Sequence, residues 1–240
     1  MRRKDLLIGT VTLAGTLAAT GTPRLRPVPS VPNLGKPLHP PAHGPVQVAL
    51  VMGPDLVSID LFGPMAAFGD ANMSGEAMVT RFYPYTVAES RNPIDVDGIK
   101  MQAEYTFESA PQPHVLVVPM QRNLPATIAF IKKTAKRTDV AMSICNGAFL
   151  VAKAGLFDGG RATTHHGGYD DFEQWYPKVK LIRGPRYVED LNVSSSGGES
   201  SGIDLALRVV ERYYGTNVAN AAAYNMEYRR THRPQNVHDV

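Results

Sequence analysis

The chain has one cysteine, Cys145, and its surroundings are the most chemically suggestive stretch of the sequence. Val140-Ala141-Met142-Ser143-Ile144 reads as a buried strand, and Gly147-Ala148-Phe149-Leu150 opens a helix. Cys145 and Asn146 therefore occupy a sharp strand-to-helix turn. Such a turn carries its side chain to the carboxyl edge of the sheet, where open α/β folds bind ligands. Gly147 permits a tight backbone approach there. Amides at the helix start favour thiolate over thiol and can hold an anionic intermediate, so the thiol is expected to ionise below its ordinary value of about 8.5. The bland alternative is a small buried apolar side chain. With no second thiol in the chain, an intrachain disulfide and a multi-cysteine metal site are both excluded.

Elements able to position that turn follow from the hydrophobic pattern. Val46 to Val51 is a β-branched apolar run ending at Gly53-Pro54 and reads as a buried first strand. Asp60 to Asn72 reads as a helix with Pro64 in its first turn and Met65, Phe68 and Ala71 on one face. Arg81 to Val87 is a second strand, Ile94 to Ala103 a hairpin broken at Asp97-Gly98, and Val115 to Val118 another buried strand. Pro125 opens a helix to about Arg137, and Gly147 to Ala154 follows the cysteine turn as helix. A helix near Tyr169 to Trp175, a strand pair at Arg186 to Glu189 and Leu191 to Ser195, and helices at Gly202 to Tyr213 and Val218 to Tyr228 complete the chain. This alternation predicts an α/β domain with a doubly wound, mostly parallel sheet flanked by helices.

The ends have a different character. Arg2-Arg3-Lys4 before the apolar, small-residue run Leu6 to Ala19 has the grammar of an export signal over residues 1–21, too short for a stable membrane span. Prolines at 23, 27, 29, 32, 37, 40, 41 and 45 make residues 22–45 an extended linker, so the domain is expected over 46–228. Arg229, Arg230 and Arg233 read as a solvated basic tail over 229–240. The formal charge of +3 lies mostly before residue 45, leaving a slightly acidic body that gives nucleic-acid binding little support. Neither GxGxxG after the first strand nor a Walker lysine is present, so no nucleotide cofactor is implied. His165-His166 lacks the partners of a zinc site, and no metal is expected.

Three segments together resemble the DJ-one/PfpI superfamily, whose fold is flavodoxin-like and class I glutamine amidotransferase-like, with a cysteine nucleophile elbow. They are Ile59-Asp60-Leu61-Phe62-Gly63-Pro64; Ser143-Ile144-Cys145-Asn146-Gly147 with Ala154-Gly155-Leu156 and Arg161-Ala162-Thr163-Thr164-His165; and Gly197-Gly198 with Ser201-Gly202-Ile203-Asp204. The similarity is greatest to the isocyanide hydratase branch. It implies that Asp60 faces Cys145, where two neighbouring acids would hold one proton between them for general acid catalysis. Without the resemblance, Asp60 reads as a helix cap. It also implies that His165 lies near the cysteine, where it would assist proton transfer or simply pack.

Two positions depart from that branch. Asn146 stands where it has threonine, and Pro119-Met120-Gln121 stands where it has Pro-Gly-Gly, which puts anion stabilisation by the Met120-Gln121 turn in doubt. The resemblance implies a cysteine-dependent enzyme acting on a small electrophile, with isocyanide hydration first. In that scheme Cys145 attacks carbon, Asn146, Gly147 and neighbouring amides hold charge, and Asp60 moves protons. A glyoxalase-like lyase acting on reactive dicarbonyls, and a non-catalytic extracytoplasmic ligand-binding or redox-sensing module, remain alternatives. Direct DNA binding is disfavoured because few residues follow Tyr228. The resemblance further implies a homodimer, and the leader, which resembles a twin-arginine signal, implies a periplasmic or secreted location.

Overall fold

The computed structural model describes residues 35–73 and 79–230. The expected export signal, most of the linker and the end of the basic tail lie outside those residues. Among the described residues no helix is long and apolar enough to cross a membrane.

The core of the fold is set by strands whose two faces are both apolar. In β1 (Val46–Val51), Val46, Val48 and Leu50 enter one hydrophobic cluster while Ala49 and Val51 enter the other, because side chains alternate across a strand. The same division holds in β6 (Val115–Val118) and β7 (Val140–Ser143). Burial on both faces accounts for the near-continuous apolar runs. These strands join β2 (Phe82–Ala88), β5 (Tyr105–Thr106), β10 (Tyr187–Asp190) and β11 (Val193–Ser196) in one seven-stranded sheet of order β10-β11-β7-β6-β1-β2-β5. Every pairing is parallel except β10 with β11. The hairpin of β3 (Ile94–Val96) and β4 (Ile99–Met101) stands apart and turns at Asp97-Gly98, both at positive φ. Two short strands, β8 (Arg161–Ala162) and β9 (Lys180–Leu181), pair separately.

Helices cover both faces. α1 (Ser58–Asp70), α5 (Ser201–Tyr214) and α6 (Thr216–Asn225) share the Val48 side, where each packs against the other two. α2 (Pro125–Thr134), α3 (Gly147–Lys153) and α4 (Tyr169–Trp175) share the Ala49 side. Because α1 begins at Ser58, two residues earlier than the sequence predicts, Pro64 is its seventh residue rather than part of its first turn. Lacking an amide hydrogen, it leaves the Asp60 carbonyl without its ordinary helical partner.

Two boundaries move. Part of the expected linker docks on the domain: Leu38 packs against the core, its amide donates to the Arg212 carbonyl at 2.8 Å, and Arg212 Nε donates to the Lys36 carbonyl at 2.8 Å. Arg208 Nη2 reaches the Gly35 carbonyl at 3.5 Å. At the other end α6 stops at Asn225, and the amides of Glu227 and Tyr228 close the helix on the carbonyls of Tyr224 and Ala223. Arg230 is no solvated tail residue, since its guanidinium pairs with Glu211 and Asn220.

Candidate active site

Cys145 sits between β7 and α3 with φ of 56°, a left-handed conformation unfavourable for a side chain with a Cβ. The surroundings hold it there. Its amide donates to the Gly197 carbonyl at 3.1 Å, and its carbonyl accepts from the Thr164 hydroxyl at 3.0 Å. Glycine is obligatory two residues on, because a Cβ on Gly147 would run into the Val118 carbonyl and the backbone of Pro119.

Asp60 comes from α1 on the far side of the site and is fully enclosed. Its Oδ2 accepts from the Met120 amide at 3.1 Å, while Oδ1 has no hydrogen-bond partner among the described residues. Capping of α1 falls instead to Asp97, whose Oδ2 accepts from the Ser58 amide at 2.9 Å. The Cys145 thiol, 6% exposed, faces the Asp60 carboxyl, which its hydrogen bond helps to keep ionised, while the Asp60 charge in turn disfavours the thiolate.

Burial governs how the pair titrates. Loss of water pushes the Asp60 carboxyl up to about 7; the Met120 amide opposes this, and the Glu199 and Asp97 carboxylates reinforce it. The thiol is pushed up to about 12 by burial and by Asp60, against hydrogen bonds from the Asn146 and Glu199 amides. This corrects the expectation of a thiol ionising below its ordinary value. α3 has only seven residues, and the two amides do not outweigh desolvation and a neighbouring acid. The resulting pair favours a carboxylate beside a neutral thiol at mildly alkaline pH, with one proton available for transfer.

The remaining expected residues separate. The Asn146 carboxamide accepts from the Thr164 hydroxyl at 3.1 Å, so Asn146 contributes to the thiol through its backbone amide and not its side chain. The Met120 amide is occupied by Asp60. Gln121 is turned away, its Nε2 donating to the Val51 carbonyl at 3.0 Å and its Oε1 lying beside Gly53. His165 packs against Gly198, and its Nδ1 accepts from the Gly167 amide at 3.1 Å, so that nitrogen serves the local turn. Glu199 and Thr164 were not singled out from the sequence. Only the adjoining Gly197-Gly198 pair and Thr163-Thr164-His165 motif pointed toward them.

A doubly wound sheet with a cysteine at a strained strand-to-helix turn, facing a buried acid, defines a cysteine-elbow α/β protein. The DJ-1/PfpI family matches residues 46–212, and the chain belongs to that family. An isonitrile hydratase of Pseudomonas putida is 27% identical over 192 residues, covering 76% of this chain and 78% of its own length. The HTH-type transcriptional regulator CdhR of Pseudomonas aeruginosa is 27% identical over 128 residues, covering 51% of this chain and 38% of the regulator. Among solved structures, a ThiJ/PfpI family protein from Pseudomonas syringae superposes with a TM-score of 0.68 at 24% identity, covering 90% of this chain and 85% of that one. An AraC family transcriptional regulator from Pseudomonas putida gives 0.65 at 16% identity, over 76% of this chain and 100% of that one.

Proposed function

We propose that the protein hydrates a small electrophile through Cys145, with an isonitrile as the substrate and an N-substituted formamide as the product. The observation that carries this reading is the enclosed Asp60 carboxyl beside Cys145, held up to about 7 and therefore able to accept and return a proton near neutrality. Asp60 takes the thiol proton as Cys145 Sγ attacks the terminal carbon, and returns it to that carbon to leave a thioimidate. Water then adds to the same carbon, and its protons pass through Asp60. The C–S bond breaks, the formamide leaves, and the thiol regains its proton. The amides of Asn146 and Glu199 hold sulfur as it gains and loses charge. The isonitrile hydratase relative supports the choice of substrate.

The test is to incubate the chain with an alkyl isonitrile and follow loss of the N≡C stretch together with appearance of formamide. Turnover is expected to fall about 10⁴-fold or more in Cys145→Ser and about 10²- to 10⁴-fold in Asp60→Asn. It is expected to rise with pH through about 7, because the carboxylate form of Asp60 is the base. Formamide production that survives Cys145→Ser sinks the proposal. The relatives that are transcriptional regulators support a second reading, a ligand-binding module. Saturable isonitrile binding without formamide is its signature.

A further inference from the structure

The turn from Gly197 to Ser200, between β11 and α5, touches Cys145 twice. The Gly197 carbonyl accepts from the Cys145 amide at 3.1 Å, and the Glu199 amide points at the thiol. Glu199 is at positive φ and exposed, so its own side chain does not anchor it. Anchoring comes from outside the turn. The Gly197 amide donates to the Arg186 carbonyl at 2.8 Å, and Arg186 Nη2 donates to Ser200 Oγ at 3.3 Å. The same guanidinium donates through Nη2 to the Tyr228 hydroxyl at 3.1 Å and through Nε to buried Asp204. Tyr228 in turn donates to Asp204 Oδ2 at 2.9 Å and lies 3.5 Å from the Ser200 carbonyl. Tyr228 reaches this position only because the chain reverses at Glu227, also at positive φ, immediately after α6.

We propose that Arg186 and Tyr228 are positioning residues that latch the Gly197–Ser200 turn against Cys145, setting the reactivity of a thiol that neither of them touches. Three segments meet at this point: the residue before β10, the first turn of α5 and the segment after α6. The Asp204 carboxylate binds all three, since it takes Arg186 and Tyr228 while belonging to α5 itself. A latch of this kind works by geometry. If the turn relaxes by a few tenths of an ångström, the Glu199 amide loses its aim on sulfur, and the thiolate loses one of its two backbone donors. The inference rests on the reading of Cys145 as the reacting group, but its measurement does not require a substrate.

The experiment compares iodoacetamide alkylation of Cys145 against pH in the wild-type chain, Tyr228→Phe and Arg186→Lys. Tyr228→Phe removes one hydroxyl, and a lysine at 186 cannot bridge Asp204, Tyr228 and Ser200 together. Both variants are expected to alkylate about three- to tenfold more slowly at each pH, with the profile displaced toward alkaline pH. Tyr224→Phe, on the neighbouring exposed surface, is expected to match wild type. An unchanged profile in folded Tyr228→Phe overturns the latch. Should that variant fail to fold, Ser200→Ala decides the matter, because it removes only the side-chain contact between Arg186 and the turn. An unchanged profile there overturns the proposal equally. Failure of the hydratase reading looks different: no formamide from wild type, while the alkylation differences persist.

Discussion

Asp60 and Glu189 are almost equally enclosed, at 0% and 2% exposure, and the fold treats them in opposite ways. Glu189 on β10 is met by two arginines from α5: Oε2 accepts from Arg208 Nε at 2.9 Å, and Oε1 lies 3.4 Å from Arg212 Nη1. Carbonyls of the docked N-terminal segment take other guanidinium donors. Asp60 receives one backbone amide and no cation, and the carboxylates that act on it, from Glu199 and Asp97, repel its charge. A buried carboxylate with cations beside it is held as half of an ion pair. One without them retains a proton near neutrality, and that proton can move.

The contrast can be broken most forcefully at Glu189. Replacing it with Gln leaves the enclosed Arg212 guanidinium without its counterion and Arg208 with Glu211 alone, and urea unfolding is expected to show a loss of about 3–5 kcal/mol. A loss under about 1 kcal/mol means that water reaches the pair and the comparison fails. At Asp60 the sign reverses. Its folded value of about 7 lies above the ordinary 3.8, so folding carries no penalty from this group below about pH 4, and one that grows from about pH 4 to about 7 and stays constant above that. Asp60→Asn is therefore expected to match wild type in stability at pH 4 and to exceed it at pH 8 by up to about 4 kcal/mol. Equal stability at both pH values removes the claim of an unpaired acid. The smallest effect is at Gly35, where a Cβ would run into the Glu189 carboxylate. Gly35→Ala should displace the docked segment at a cost of about 1 kcal/mol, seen as a lower Tm.

Much of this was legible in the sequence because it is local. The apolar runs at Val46, Val115 and Val140 give strands buried on both faces, Asp97-Gly98 gives the hairpin turn, and Ser143 to Gly147 gives the cysteine turn. What could not be read depends on contacts between distant segments. The two-residue strands β5, β8 and β9 are too short to have a period. Nothing near Asp97 announces that it caps α1, and nothing near Glu199 announces that its amide meets a thiol 54 residues earlier in the chain. The titration of Cys145 is not legible in the sequence for a related reason. Helix-start amides are visible in a sequence, whereas the depth of burial and the approach of Asp60 from α1 are not.

The docking of Gly35 to Leu38 on α5 has a consequence for how the domain is made. Arg208 and Gly35 are 173 residues apart, and Arg212 and Lys36 are 176 apart. The segment that leaves the ribosome before any strand of the sheet thus waits for nearly the whole domain to be synthesised before its binding surface exists. Its side-chain hydrogen bonds span the longest sequence separations seen among the described residues, and contacts of such separation contribute little to the early steps of folding.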